Sequence, residues 1–237
     1  AALGDKGLAV EAAMARELGL GVPALPWHSQ RDSLAELAGW LSLVTGSLGK
    51  IGADLVLLAQ SEVREILPGS GGGSSTMPQK ANPVGAEALV SLARFNAGLV
   101  SSLHHALGAT HERDGAAWQT EWLALPQMVV ATGAALLRAG AVLDDLVIDS
   151  ARMRANLDAA NGLVLAEAAA FALAQHMPRA EAQALVKDAC RAVTESGRHL
   201  TDVLAEKTDA SVDWDSLRDP ATYLGAAGAL LSRALED

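Results

Sequence analysis

The sequence predicts an all-α protein, a long-helix bundle followed by a smaller helical C-terminal domain, and three observations carry that prediction. Apolar residues alternate at spacings of three and four from Leu34 through Leu37, Leu41, Val44, Leu48, Ile51 and Leu55 to Leu58, which is the period of a helix. Half of the 237 residues are apolar but only 3% are aromatic, so the core must be built from small and branched aliphatics brought close together. Long stretches between residues 83 and 146 carry few charges, the mark of helices buried on several sides. No segment alternates apolar and polar residues as a half-buried strand would, and no internal repeat is visible.

The first long helix is expected from Asp32 to about Glu65, with Asp32 or Ser29 accepting from its free N–H groups and Pro68 and the following glycines stopping it. A rod of that length, roughly 45 Å at 1.5 Å per residue, needs partner helices, and a left-handed bundle suits its seam. A second helix should start at Asn82-Pro83, with asparagine as cap and proline in the first position, and run to Leu107. A third is expected from Ala116 to Leu146, with Pro126 kinking it. After Asp149 shorter helices are expected near 150–157, 161–176, 178–197 and 220–235, separated at Asn161-Gly162, Met177-Pro178, Gly197 and Asp219-Pro220. The expected domains are therefore 1–148 and 149–237.

Composition excludes several function classes. A formal charge of −10 argues against nucleic acid as the main partner, because phosphate neutralisation needs a basic face. One cysteine, Cys190, makes no internal bridge, suits a reducing cytoplasmic setting, and reads as a buried small residue. The longest uncharged apolar stretch, Trp122 to Leu137, contains Pro126 and falls short of the roughly 20 residues of a membrane span, so no membrane association is expected. The chain opens at Ala1 without a Met, which reads as a natural N-terminus lying further upstream.

The chemistry concentrates in residues 68–83, Pro-Gly-Ser-Gly-Gly-Gly-Ser-Ser-Thr-Met-Pro-Gln-Lys-Ala-Asn-Pro. Composition alone reads equally well as a flexible linker. A phosphate loop is excluded, since Gln79-Lys80-Ala81 stands where Gly-Lys-Ser/Thr is required. The residues after the glycines are not linker-like: Ser74, Ser75, Lys80 and Asn82 converge on a helix start whose free N–H groups favour an anion. That is a grip for a carboxylate, with a serine in a positive environment suited to proton exchange.

Gly73-Ser-Ser-Thr-Met-Pro-Gln-Lys-Ala-Asn-Pro83 resembles the signature loop of the fumarase/aspartase superfamily, G-S-S-x-M-P-x-K-x-N-P, at every fixed position. The resemblance implies a long helical bundle assembled as a homotetramer, each active site drawn from three subunits. It also implies bond making or breaking beta to a carboxylate through an enolate-like intermediate. In it Ser74 is the catalytic acid/base, Ser75, Lys80 and Asn82 hold the substrate carboxylate, the glycines form a mobile lid, and no metal or organic cofactor is required. A further family histidine would lie before Ala1.

Three flanks, Pro26–Asp32, His111-Glu-Arg-Asp114 with Trp118-Gln-Thr-Glu-Trp122, and Asp219–Ala227, are similar to bacterial 3-carboxy-cis,cis-muconate cycloisomerases. That similarity implies a small polycarboxylate substrate. The competing readings are an adenylosuccinate lyase-like or other C–N or C–O lyase, and a non-catalytic helical oligomerisation protein on the same fold. Adenylosuccinate lyases usually have a serine pair and an arginine where this chain has Gln119-Thr120 and Trp122.

Further substrate-binding candidates are Gln30 and Arg31 at the start of the long helix, and His111 and Arg113 in the charged connection between long helices. The bland alternatives are a capping turn and a solvated loop. His28 is a weaker candidate than its neighbours. His104 and His105 cannot share one helical face and are read as surface or structural. Trp118 and Trp122, four apart, are read as core. The charges of 179–218 are read as a solvated face.

Overall fold

The computed structural model describes residues 2–67, 72–73 and 81–236. They fall into two compact units, Ala1–Ile148 and Asp149–Asp237. The chain is all-α.

The first unit is a bundle of three long helices preceded by a short one. Helix α1 (Lys6–Leu18) was not anticipated. Only its Ala15 is buried, so no apolar seam announces it; its one clear signal is Gly19, which ends it in the left-handed conformation at φ 65°. Helix α2 spans Asp32–Leu58, shorter than the expected Glu65, because residues 59–65 leave the axis in turns before strand β1 (Ile66–Leu67). Helices α3 (Val84–Ala106) and α4 (Gly115–Asp144) follow, with α4 running unbroken through Pro126. Neither Asp32 nor Ser29 caps α2 with its side chain, and Asn82 does not cap α3. Asp32 lies inside its helix, and Asn82 is held in a strand ladder instead. Two such ladders form where no strand was expected: β2 (Gly72–Gly73) pairs antiparallel with β3 (Ala81–Asn82), and β1 with β4 (Val147–Ile148). At two residues each, they are too short for a periodic pattern to reveal.

The bundle packs on small residues. Ala38, Leu41, Leu103, Ala124 and Met128 form its core near the start of α2, and Leu55, Ile66 and Ala86 close it near the other end. Between them α2 and α3 approach so closely that a Cβ at Gly52 would lie 2.6 Å from the Ala86 carbonyl oxygen and 2.9 Å from Leu89 Cβ. Gly52→Ala is therefore expected to destabilise the bundle. The gain in helix propensity, about 1 kcal/mol, is outweighed by overpacking against backbone, typically 1–3 kcal/mol. A lower urea midpoint with unchanged slope checks this; a raised midpoint would refute it.

Polar groups inside this core are paired, apart from one acceptor of Asn96. Asn96, fully buried, donates from Nδ2 to the Met128 carbonyl at 3.3 Å and to Thr132 Oγ1 at 2.9 Å, while its Oδ1 accepts nothing among the described residues. Two helices, α2 and α4, are long and apolar enough to cross a bilayer by length and composition, contrary to the expectation from the uncharged stretch alone. The difference arises because their few charges are widely spaced, so a helix-length window stays apolar. Their outward faces expose Trp40, Leu43, Leu123, Val130 and Leu137.

The second unit contains α5 (Ser150–Ala159), α6 (Ala166–Leu173), α7 (Arg179–Ser196), α8 (Leu200–Lys207), α9 (Trp214–Leu217) and α10 (Ala227–Glu236). Its core is Leu173, Val186, Val193, Leu200, Val203 and Leu204, with half-buried Cys190 packed against it rather than within it. The break at Asn161-Gly162 is a left-handed pair, φ 49° and 79°, and a Cβ on Gly162 would meet the His199 ring at 2.6 Å. Helices α8 and α9 were not anticipated. His199 caps α8 by accepting from the Thr201 N–H, an unusual cap that only an unprotonated ring nitrogen can form, and burial lowers its pKa accordingly. The charges of 179–218 pair at the surface as Arg198–Glu206, Lys207–Asp188 and Arg218–Asp202.

Candidate functional site

Of the signature residues, Ser74, Ser75 and Lys80 lie outside the described residues. Asn82 is half-buried in β3, paired with Gly72 immediately before α3. The remaining candidates collect at the opposite end of the bundle. Gln30 and Arg31 precede α2, and His111 and Arg113 occupy the connection from α3 to α4. The 23 residues of α3 separate the two groups, roughly 35 Å at the helical rise. One copy of the chain therefore does not bring Asn82 and Arg113 together.

The second group is built on Asp114. Its carboxylate accepts from the Ala116 and Ala117 N–H groups, capping α4, and from the N–H and hydroxyl of Thr110. These donors, the Thr110 N–H foremost, hold the Asp114 carboxyl below its ordinary pKa. The clasp fixes the short 110–114 turn, in which His111 adopts φ 55°, a left-handed conformation uncommon for a residue with a Cβ. His111 and Arg113 are both exposed.

Arg31 and Glu121 join α2 to α4. Arg31 donates Nε to Glu121 Oε1 at 2.8 Å and Nη2 to Oε2, and a third donor, Nη1, reaches the Trp27 carbonyl at 2.7 Å. Glu121 is 2% exposed, so the pair is a fork clamped inside the bundle end. The hydrogen bond that Arg31 donates to Glu121, with the charge of that carboxylate, raises the Arg31 pKa against the opposing effect of burial. Much of the donor capacity of Arg31 is thus committed to the fold.

Trp118 stands beside this clamp. Its Nε1 donates to the His28 carbonyl at 2.9 Å, its ring stacks with the His28 ring at 5.6 Å, and the Arg113 guanidinium lies 4.9 Å from its centroid. Trp122 is tilted against it at 6.2 Å and is 63% exposed. The expectation that both tryptophans are core is thus corrected. The bundle core is filled by alanine, leucine and methionine, and the indoles are left at its end. Gln30 is exposed nearby, and His104 and His105 lie on the surface. Glu121 was missed by sequence reasoning, although an acid at Trp118+3 in an otherwise apolar helix is the signal that points to it.

Comparison with known proteins decides the family. A family model described as "Lyase" matches residues 5–96, and one described as "Adenylosuccinate lyase C-terminus" matches 162–234. A crystal structure of 3-carboxy-cis,cis-muconate lactonizing enzyme from Pseudomonas putida superposes with a TM-score of 0.89 at 42% identity, covering 99% of this chain and 54% of that one. The chain belongs to the fumarase/aspartase superfamily. Among curated members of the superfamily, a 3-carboxy-cis,cis-muconate cycloisomerase of Pseudomonas aeruginosa is 46% identical over 100% of this chain and 53% of its own length. An N-acetyl-S-(2-succino)cysteine lyase of Dickeya dadantii is 36% identical over 96% of this chain and 52% of its own. The chain spans about half the length of the curated relatives it matches.

Proposed function

We propose that this protein is a cytoplasmic 3-carboxy-cis,cis-muconate cycloisomerase, closing its substrate to 4-carboxymuconolactone in the catabolism of aromatic compounds. The observation that carries the reading is the 46% identity, across the whole chain, to a cycloisomerase of that name. The reaction is an isomerisation: one substrate carboxylate adds to the diene carbon beta to a second carboxylate, and the adjacent carbon, alpha to that second carboxylate, takes a proton. Charge gathers on that second carboxylate as an enolate-like dianion, so a site that binds this form more tightly than the substrate accelerates the step. In this reading Ser74 delivers the proton, and Ser75, Lys80 and Asn82 hold the carboxylate on which charge develops. Because nucleophile and electrophile belong to one molecule, orientation by the protein contributes as well.

Gln30, His111 and Arg113 serve the far end of the substrate, and Arg31 holds their elements in place through Glu121. The roughly 35 Å between these residues and Asn82 supports a site shared between copies of the chain, and the exposed apolar faces of α2 and α4 suit the helical contacts of a homotetramer. No organic cofactor or metal takes part in this scheme. The test is direct. Purified protein should abolish the diene absorbance of 3-carboxy-cis,cis-muconate while leaving adenylosuccinate intact. Consumption of adenylosuccinate instead would move the reading to a nucleotide-directed lyase, and consumption of neither would favour the non-catalytic alternative.

A further inference from the structure

We propose that Trp118, Trp122 and Arg113 form a shelf that selects flat, conjugated carboxylates over saturated ones, with Trp122 as the specificity-determining residue. This deepens the proposed function and rests on it for the choice of acid. Three features of the bundle end support it.

The first is charge. Arg31 is neutralised by Glu121, whereas no ion pair to Arg113 is present among the described residues. The adjacent Asp114 makes no ion pair with it, and both of its oxygens instead accept from Thr110, Ala116 and Ala117. Arg113 is instead stacked on Trp118, which orients a guanidinium without consuming its in-plane donors. The second is rigidity. The Trp118 indole is pinned by its bond to the His28 carbonyl and by the His28 ring, so the platform is set before any ligand arrives. The third is exposure. Trp122, tilted against Trp118, is 63% exposed, and Arg113, over the Trp118 ring, is exposed as well.

A π-face next to an unpaired guanidinium recognises a planar π-system carrying a carboxylate. The carboxylate meets Arg113 in the plane of its donors, and the conjugated chain lies along the indole. A saturated diacid of equal length and charge satisfies Arg113 but cannot stack. Stacking therefore governs the choice between the two, and charge governs affinity for both.

The experiment is calorimetric titration with trans,trans-muconate and with adipate, its saturated counterpart. The unmodified protein should bind muconate roughly two- to tenfold more tightly, the range expected of one stacking contact. Trp122→Leu should bring the two acids to equal affinity, and Trp122→Phe should keep most of the preference. Arg113→Gln should weaken both acids alike and leave their ratio unchanged. Trp122 is largely exposed, so its substitution leaves the core intact, and circular dichroism confirms helix content. Equal binding of the two acids by the unmodified protein, binding of neither, or a preference that survives Trp122→Leu would each overturn the proposal. The two readings fail separately. A muconate preference that depends on Trp122, without turnover of 3-carboxymuconate, removes the catalytic assignment and leaves the shelf. Turnover without the preference does the reverse.

Discussion

Ser74→Ala is expected to lower turnover of 3-carboxy-cis,cis-muconate by about 10²–10⁴-fold, the usual contribution of a positioned proton donor. Helix content and substrate affinity should be nearly unchanged. The physical reason is the division of labour in the proposed step. Ring closure places charge on a carboxylate gripped by Lys80, Asn82 and Ser75, and none of these interactions needs the Ser74 hydroxyl. Without it the adjacent carbon must take its proton from solvent, so the loss falls on kcat and not on KM. The decay of diene absorbance under saturating substrate measures this, with circular dichroism as the control for folding. A variant that retains near-normal kcat would assign the proton to another group.

Glu121→Ala is expected to have the largest effect on stability. The substitution leaves the Arg31 guanidinium, only 17% exposed, facing a hydrophobic helix end without its anion. Breaking one side of a buried pair typically costs about 3–5 kcal/mol; the Trp27 carbonyl and the residual solvent contact of Arg31 reduce that here to about 2–4 kcal/mol. Replacing both partners with leucine should be less damaging than Glu121→Ala alone, because no orphan charge remains and apolar volume is kept. Urea unfolding of the three proteins checks the ordering. A double variant less stable than the single one would mean that the pair contributes net stability beyond avoiding an unpaired charge.

What the sequence could disclose follows from how far each signal extends. The seam from Leu34 to Leu58 repeats for several turns and made α2 plain, and the sparse charges of α3 and α4 did the same for them. Helices α8 and α9 contain too few turns for a period to emerge, and α1 buries only Ala15, so it has no seam. Helix ends were misjudged where a polar residue suitable as a cap was drawn into other work, as Asn82 was into its ladder with Gly72. At the candidate site, residue types name candidates but not their partners. Arg31 looks like a free cation in sequence because Glu121, the group that occupies it, is 90 residues away. The tryptophans look like core because hydrophobicity carries no information about which end of a bundle a helix face reaches.

Asn96 has a consequence for the far end of α3. Its amide donates to Met128 and Thr132 on α4, at one height along the bundle. Sliding α3 against α4 by one turn, about 5.4 Å, would carry that amide away from both acceptors and strand it among alanine and leucine side chains. Each such buried polar group left unsatisfied costs about 1–3 kcal/mol. Apolar contacts between helices of small residues are nearly interchangeable from turn to turn and would tolerate that slip; the amide does not. It works as an index pin. By fixing where α3 stops along α4, it sets the elevation at which Asn82 enters the bundle.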